Sequence, residues 1–361
     1  MKAVVFEQHG GPEVLQYRED VPEPTAGSFE VRVRVRAASV NYLDVWTRKG
    51  LPYTIAMPHI LGNDGAGVID QVGPGVTHLN VGDEVVLSPG AGCNHCRACL
   101  DGDDMLCLSY DLFGLRKQGT YAEFVVAPAR NAFPKPSQLS FEEAASMPLV
   151  FLTAWHMLVT RAQVRPGEFV LILAAASGVG TAAVQIAKLC GAYVIAAAST
   201  EEKLRRVREL GADATVNYRE RDFAGVAREL TGGRGLDCVV ETVGKDTWAK
   251  SLHSLRRGGR VVTCGTTSGA FVEQDIRYLY RQHLSILGSS MGTHREMRSI
   301  LDLIGQGKLR PVIHSVLPLR EAAEAHRTLA ARAQFGKVLL VPSTTGYRPC
   351  CRCASARAGG P

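Results

Sequence analysis

The stretch Glu168-Phe169-Val170-Leu171-Ile172-Leu173-Ala174-Ala175-Ala176-Ser177-Gly178-Val179-Gly180 joins a short apolar run to a turn of small residues. Phe169 to Ala174 is too short to span a bilayer, and its unbroken hydrophobicity suits a strand buried on both faces of a parallel sheet. Beyond the turn, Val179, Ala183, Ile186, Ala187 and Cys190 recur at helical spacing until Gly191 stops the helix. Tyr193 to Ala198 is a second short apolar run, so the unit reads strand, turn, helix, strand.

That context gives the turn its meaning. Aligned on its last glycine, the dinucleotide fingerprint G-x-G-x-x-G falls on Ala175, Ser177 and Gly180, with small residues replacing the first two glycines. Ala and Ser still allow the amides of Ser177, Gly178, Val179 and Gly180 to approach a pyrophosphate, where a helix N-terminus favours negative charge. A phosphate-free flavodoxin-like turn is the alternative. An NAD site normally ends its second strand in Asp or Glu to hold the ribose 2′-hydroxyl, whereas this strand ends Ala197-Ala198-Ser199-Thr200. A carboxylate would repel a 2′-phosphate, which Ser199 and Lys203 can instead bind, so the site reads as NADP(H). Ser199 as a helix cap with Lys203 on a wet face accounts for the same residues.

With 361 residues, the chain suffices for two domains. Its 46% hydrophobic and 21% charged content fits a globular protein, and its net charge of +6 is modest. Arg32, Arg34 and Arg36 alternate with Val31, Val33 and Val35, the wet face of a half-buried strand rather than a nucleic-acid track. No apolar run reaches bilayer length and Met1 to Glu7 lacks a signal-peptide core. A cytoplasmic protein with neither nucleic-acid nor membrane partner is expected, as a homodimer or homotetramer.

Residues 1–131 read as short strands punctuated by glycine and proline, with strands at Lys2 to Phe6, Glu30 to Ala37, Gly67 to Val72, Glu84 to Leu87 and Tyr121 to Val126. Within them, Cys93, Cys96, Cys99 and Cys107 have the spacing C-x2-C-x2-C-x7-C. In a reducing compartment such thiols predict a tetrahedral zinc site, and four thiolates leave no open position, so the zinc is structural. Unpaired thiols or an iron-sulfur cluster are the alternatives, and His95 is expected to face solvent.

Residues 132–291 carry the βα rhythm, with further strands at Ala214 to Tyr218, Leu236 to Glu241, Arg260 to Cys264 and Leu284 to Gly288, predicting a six-stranded doubly wound sheet. Residues 292–342 return the chain to the first domain. Residues 343–361, with Cys350, Cys351 and Cys353, show no periodic face and read as a disordered tail.

The strand-turn-helix unit, the cysteine lobe and the run Val40-Asn41-Tyr42-Leu43-Asp44-Val45-Trp46-Thr47-Arg48-Lys49-Gly50 together resemble the medium-chain dehydrogenase/reductase superfamily over residues 1 to about 342, the last run resembling its quinone oxidoreductase branch. The resemblance implies a GroES-like β-rich catalytic domain beside a Rossmann domain, an α/β protein. Where zinc alcohol dehydrogenases of the superfamily place Cys, Gly-His-Glu and Cys, this chain has Asn41, Gly62-Asn63-Asp64 and Leu149, which removes the catalytic zinc ligands. By the same resemblance Thr153 meets the nicotinamide side, Lys203 and Tyr218 clamp the 2′-phosphate, and Val243, Gly265 and Thr266 lie at the carboxyl ends of later strands, where such sheets bind ligands. Thr153 as a helix cap and Tyr218 as edge packing are the plain alternatives.

Without a metal, a substrate carbonyl must be polarised by neutral donors. Asn41 is the first candidate, with Tyr53 as a lesser proton donor and Asn63 beside it; Trp46 is expected to stack in the cleft and Asp44 and Asp64 to orient the donors, although Asp64 could equally pair with Arg48. The expected activity is NADPH-dependent reduction of quinones or α,β-unsaturated carbonyls. Two other functions fit: a zinc-type alcohol dehydrogenase, and a non-catalytic NADPH-binding protein with crystallin-like or RNA-binding work.

Overall fold

The computed structural model describes residues 1–52 and 54–342. Tyr53, the tail from 343 and its three cysteines lie outside the described residues.

Phe169–Ile172 is the central strand of a six-stranded parallel sheet. Tyr193–Ala198 and then Ala214–Asn217 lie to one side, and Leu236–Glu241, Leu255–Thr263 and Ser285–Gly288 to the other, the doubly wound order with its switch point beside the first strand. Val170, Leu171 and Ile172 are wholly buried, as their unbroken apolar run requires. Helix Gly178–Leu189 starts where the Ser177 hydroxyl accepts from the Gly180 N–H at 3.0 Å. A side chain at Gly180 would sit 2.3 Å from the Ala174 carbonyl oxygen, so only glycine lets the helix pack this closely on the strand.

Two boundaries differ from expectation. The fifth strand begins at Leu255 rather than Arg260, because Leu255 pairs with Leu236 across a bulge and Arg256 is tied to Asp237 at 2.5 Å. In the first domain the paired strands run on to Ser39 and back to Asp64, which stand opposite each other.

That first domain is built around Glu30–Ser39, which pairs antiparallel with Asp64–Val72 and Phe124–Pro128. Val31, Val33 and Val35 point into the core, while Arg32 forms a two-pronged bond to Asp70 with both distances 2.9 Å. Lys337–Val341 extends the sheet, Leu339 opposite Ser39 and Leu340 opposite Ala38, and pairs in parallel with the edge strand Ile313–Pro318. The chain's late strand therefore lies beside the start of its first long helix, Tyr42–Lys49, an arrangement clinched by a bond from Val40 N–H to the Val338 carbonyl at 2.9 Å.

Helix His294–Gly305 is fastened to the stretch after Pro148–Trp155 by one carboxylate. Glu296 completes a capping box on Thr293 and lies 3.0 Å from His156 Nδ1, with the Thr160 hydroxyl donating to the same oxygen. Burial alone would raise this carboxyl, but the bonds from His156, Thr160 and Thr293 outweigh it and hold the group below its ordinary 4.5. A depressed folded value means stability that is present above the unfolded value and is lost as pH falls through the folded one. Glu296→Gln should cost about 1–3 kcal/mol at neutral pH and flatten the acid-side loss of stability. Thermal melts of parent and variant that stay parallel below pH 4.5 would refute this role.

Candidate active site

The turn at Ser177-Gly178-Val179-Gly180 opens helix Gly178–Leu189 beside the sheet's switch point, where a dinucleotide phosphate fits unpaired amides. At the end of Tyr193–Ala198, Thr200 rather than Ser199 caps the next helix, accepting from Lys203 N–H at 3.3 Å. The capping alternative for Ser199 is thereby removed. Lys203 Nζ donates to the Arg332 carbonyl at 2.7 Å; burial first, then the positive charge of Arg219, lowers its affinity for a proton. Tyr218 is 44% exposed, its N–H bonded to the Ala198 carbonyl that ends the second strand. Arg219 therefore joins the candidates and was missed because it lies in an ordinary polar loop.

Val243, Gly265 and Thr266 occupy the loops after the fourth and fifth strands. Their scaffold is Glu241, wholly buried, which accepts from Val243 N–H at 2.7 Å, Gly244 N–H at 3.0 Å, Thr247 at 2.8 Å and Ser251 at 2.7 Å. Thr153 is buried, its hydroxyl 4.0 Å from the Met291 sulfur. Trp46 is half-buried against Tyr42, ring centroids 5.3 Å apart.

The side chains around Asn41 form a buried polar cluster. Asp64, fully buried, accepts from Ser39 Oγ at 2.9 Å, Asn41 Nδ2 at 2.9 Å and, on its other oxygen, Leu149 N–H at 2.8 Å. Its counter-ion is Lys337, Nζ 3.4 Å away, which also donates to Asn41 Oδ1. Arg48 is not that partner: it donates to the Gly10 carbonyl at 2.7 Å and to His326 Nδ1 at 3.3 Å. Burial lowers the Lys337 ammonium while Asp64 and Asp44 pull it back up. Lys337 had no sequence signal, since one lysine heading Val338-Leu339-Leu340-Val341 looks like a strand-flanking charge.

Behind this cluster lies a second. Asp44 accepts from Asn41 N–H at 2.7 Å, Gly62 N–H at 3.0 Å and Tyr121 OH at 3.2 Å. Burial pushes its carboxyl up to about 7 despite those donors. Arg48 can only donate, so His326 Nδ1 accepts, Nε2 carries the proton toward Tyr121 at 3.4 Å, and Tyr121 donates onward to Asp44. Burial, then Arg48, lowers His326 to about 3, consistent with a neutral ring. Asn63 is placed differently from Asn41: it is fully buried and its Nδ2 donates to the Phe113 carbonyl.

Cys93, Cys96, Cys99 and Cys107 converge, their sulfurs all within 4.8 Å of one another and Cys93 and Cys99 4.0 Å apart. A tetrahedron of sulfurs about a zinc has edges of roughly 3.8 Å, so the set fits. Among the described residues this is the one group of three or more His, Cys, Asp or Glu able to meet on an ion. Backbone N–H groups of His95 and Cys96 draw the Cys93 thiol down to about 6, while burial pushes Cys99 up to about 12, so the fit to a metal rests on the convergence of the sulfurs. His95 is exposed and bonded to the Cys93 carbonyl instead. A zinc held here would tie the turn of residues 93–99 to Cys107, leaving no ligand position open. Purified protein should carry about one zinc per chain, and Cys99→Ser should lose it and lower the melting temperature. Full metal content in that variant would overturn the assignment.

Residues 27–137 match the family model of the alcohol dehydrogenase GroES-like domain, and residues 178–306 that of the zinc-binding dehydrogenases. A quinone oxidoreductase of Pseudomonas aeruginosa is 35% identical over 351 residues, covering 94% of this chain and 99% of the relative. The chain belongs to the medium-chain dehydrogenase/reductase superfamily. A further superfamily member, a 2-haloacrylate reductase of a Burkholderia species, is 33% identical over 359 residues, covering 94% of this chain and 98% of its own. The crystal structure of an NAD-dependent alcohol dehydrogenase superposes with a TM-score of 0.92 at 50% identity, covering 95% of this chain and 100% of that one. The protein is thus an oxidoreductase of this superfamily, with a GroES-like part and a Rossmann-type sheet. Among the described residues no helix is long and apolar enough to cross a membrane.

Proposed function

We propose that the protein is a cytoplasmic NADPH-dependent reductase of quinones or α,β-unsaturated carbonyl compounds that works without a catalytic metal. The observation that carries this reading is the cluster of Asn41, Asp64 and Lys337, in which Asn41 and Asp64, at positions that by resemblance hold metal ligands in zinc alcohol dehydrogenases, are instead bound to each other and to a lysine. Residues 132–291 serve as the cofactor domain and residues 1–131 with 292–342 as the catalytic domain.

The reduced dinucleotide, when bound, supplies a hydride to the substrate carbon conjugated with the carbonyl. The protein's part is to stabilise the negative charge that then spreads over an enolate or hydroquinone oxygen. A delocalised anion needs less stabilisation than a simple alkoxide, so neutral donors such as the Asn41 amide suffice where relatives use a Lewis acid. Solvent water protonates the enolate carbon. Ser199, Lys203, Tyr218 and the added Arg219 offer hydroxyls and positive charge to a 2′-phosphate, and Ala198 offers no carboxylate to a bare ribose.

The 50% identity to an NAD-dependent alcohol dehydrogenase favours a second reading, oxidation of alcohols with NAD. Steady-state assays separate the two. The reductase reading expects NADPH to be preferred over NADH with enones and quinones, little alcohol oxidation, and Lys203→Ala weakening NADPH selectively by about 1–3 kcal/mol. Chelator-sensitive alcohol oxidation with NAD, or equal loss of both cofactors in Lys203→Ala, would overturn it.

We also infer a homodimer. Strand Ser285–Gly288 is one of the two open edges of the parallel sheet, and Ile286 on it is 41% exposed, with Phe271 and Ile276 nearby in sequence at 91% and 71%. An apolar, unpaired edge is stable in water only when covered, and a second copy of the same edge is the self-complementary cover. Ile286→Lys should shift the sedimenting species toward monomer; an unchanged dimer would place the interface elsewhere.

A further inference from the structure

An asparagine amide has a donor end and an acceptor end of nearly the same shape, and only the donor end can stabilise a developing oxyanion. At Asn41 two neighbours decide the orientation. Lys337 is an ammonium and can only donate, so the atom facing it is Oδ1; Asp64 Oδ2 is a carboxylate oxygen and can only accept, so the atom facing it at 2.9 Å is Nδ2. The two constraints agree. Asp64 is itself held by Ser39, by Leu149 N–H and by Lys337, so the carboxylate cannot swing round to take the other end.

Lys337 reaches this position from the far end of the chain. Gly336 N–H bonds to the Ala176 carbonyl at 2.9 Å, clipping the strand to the turn before helix Gly178–Leu189. The lysine stem then crosses Gly178 so closely that a side chain there would meet Lys337 Cδ at 2.8 Å. Its head ends fully buried between the Rossmann turn and the Asn41 helix. Among the described residues, one hydrogen of Asn41 Nδ2 is left without a partner after Asp64 takes the other.

We propose that Lys337 is a positioning residue that, together with Asp64, holds both ends of the Asn41 amide, leaving the remaining Nδ2 hydrogen to meet the substrate oxygen. The inference rests on the reductase reading for its consequence, but the orientation itself does not. Replacing the ammonium by a methyl-terminated chain leaves Asn41 Oδ1 without its donor, so that only the Asp64 contact still holds the amide and its angle is no longer fixed at both ends. Arginine keeps a donor-only cation there.

The test combines kinetics with a direct view of the amide. Asn41→Ala should lower kcat for an enone or quinone by about 10²-fold, the scale for loss of one oxyanion donor. Lys337→Met should lower kcat comparably, with zinc content retained and the NADPH dissociation constant, read from nicotinamide fluorescence, within about threefold of the parent. The double variant should be little worse than either single one, because both remove the same oriented donor. Lys337→Arg should recover most of the rate. If Lys337→Met folds poorly with Asp64 left unpaired, Lys337→Gln, whose neutral amide supplies no ammonium to Asn41 Oδ1 but leaves Asp64 a polar neighbour, is read in the same way. In 15N spectra, the side-chain NH2 pair of Asn41, assigned by its absence in Asn41→Ala, should be slow to exchange with solvent in the parent and in Lys337→Arg and fast in Lys337→Met. Multiplying losses in the double variant, parent kcat in Lys337→Met, a loss confined to NADPH affinity, or an amide pair unchanged in that variant would each overturn the proposal. A parent that reduces neither enones nor quinones would instead count against the reductase reading, with the spectra still deciding the amide's orientation.

Discussion

Lys337 and Asp64 are charges of opposite sign buried together where a late strand of one sheet meets the turn of the other, and neither is tolerable there alone. An uncompensated charge in such a place costs about 3–5 kcal/mol, so the pair forces the chain's last described strand to end its path in one position. The requirement is met from both sides. Ser39, Asn41 and Leu149 N–H satisfy the carboxylate, Gly336 anchors the lysine's approach, and the long first-domain strand must run to Ser39 to stand opposite Asp64. The geometry around Asn41 is thus a by-product of solving a burial problem, which is also what makes it rigid.

The same solution recurs wherever the chain must hold a loop in place. Glu241 gathers two backbone amides and two hydroxyls and so shapes the loop carrying Val243. Asp237 receives the Phe169 N–H and the guanidinium groups of Arg234 and Arg256, fixing the starts of the central strands. Asp44 receives Asn41 N–H, Gly62 N–H and Tyr121 and sets the angle of the helix behind the cleft. Each carboxylate has more donors than a surface ion pair would have, because in a dry interior every lone pair left without one is costly.

Two kinds of chemistry are kept apart in this architecture. The thiolate lobe is closed by its four sulfurs and docks through Arg130 on the Gly92 carbonyl and His294 N–H on Asp104, contacts that serve shape. The cleft around Asn41 contains amide, hydroxyl, ammonium and carboxylate groups, which act by hydrogen bonding and charge. The relatives include both reductases and an alcohol dehydrogenase.

Local pattern in the chain determined a great deal. The apolar run at Phe169, the small-residue turn and the helical spacing after it specify a strand, a cradle and a helix because each depends on residues within a few positions of one another. The four cysteines are legible for the same reason, since their spacing brings the sulfurs together with little help from the rest of the molecule. Asn41 could be singled out because it occupies a recognisable run. What only the tertiary structure decided lies at large sequence separation: Lys337 meets Asn41 across 296 positions, His326 meets Tyr121 across 205, and Asp64 finds its counter-ion in Lys337 rather than Arg48. A lone lysine before four apolar residues carries no local mark of its partner. That partner is set by the pairing of Leu339 with Ser39 and Leu340 with Ala38, which places the end of the chain against its beginning, and by the physical rule that a charge brought into that interior must find its opposite there.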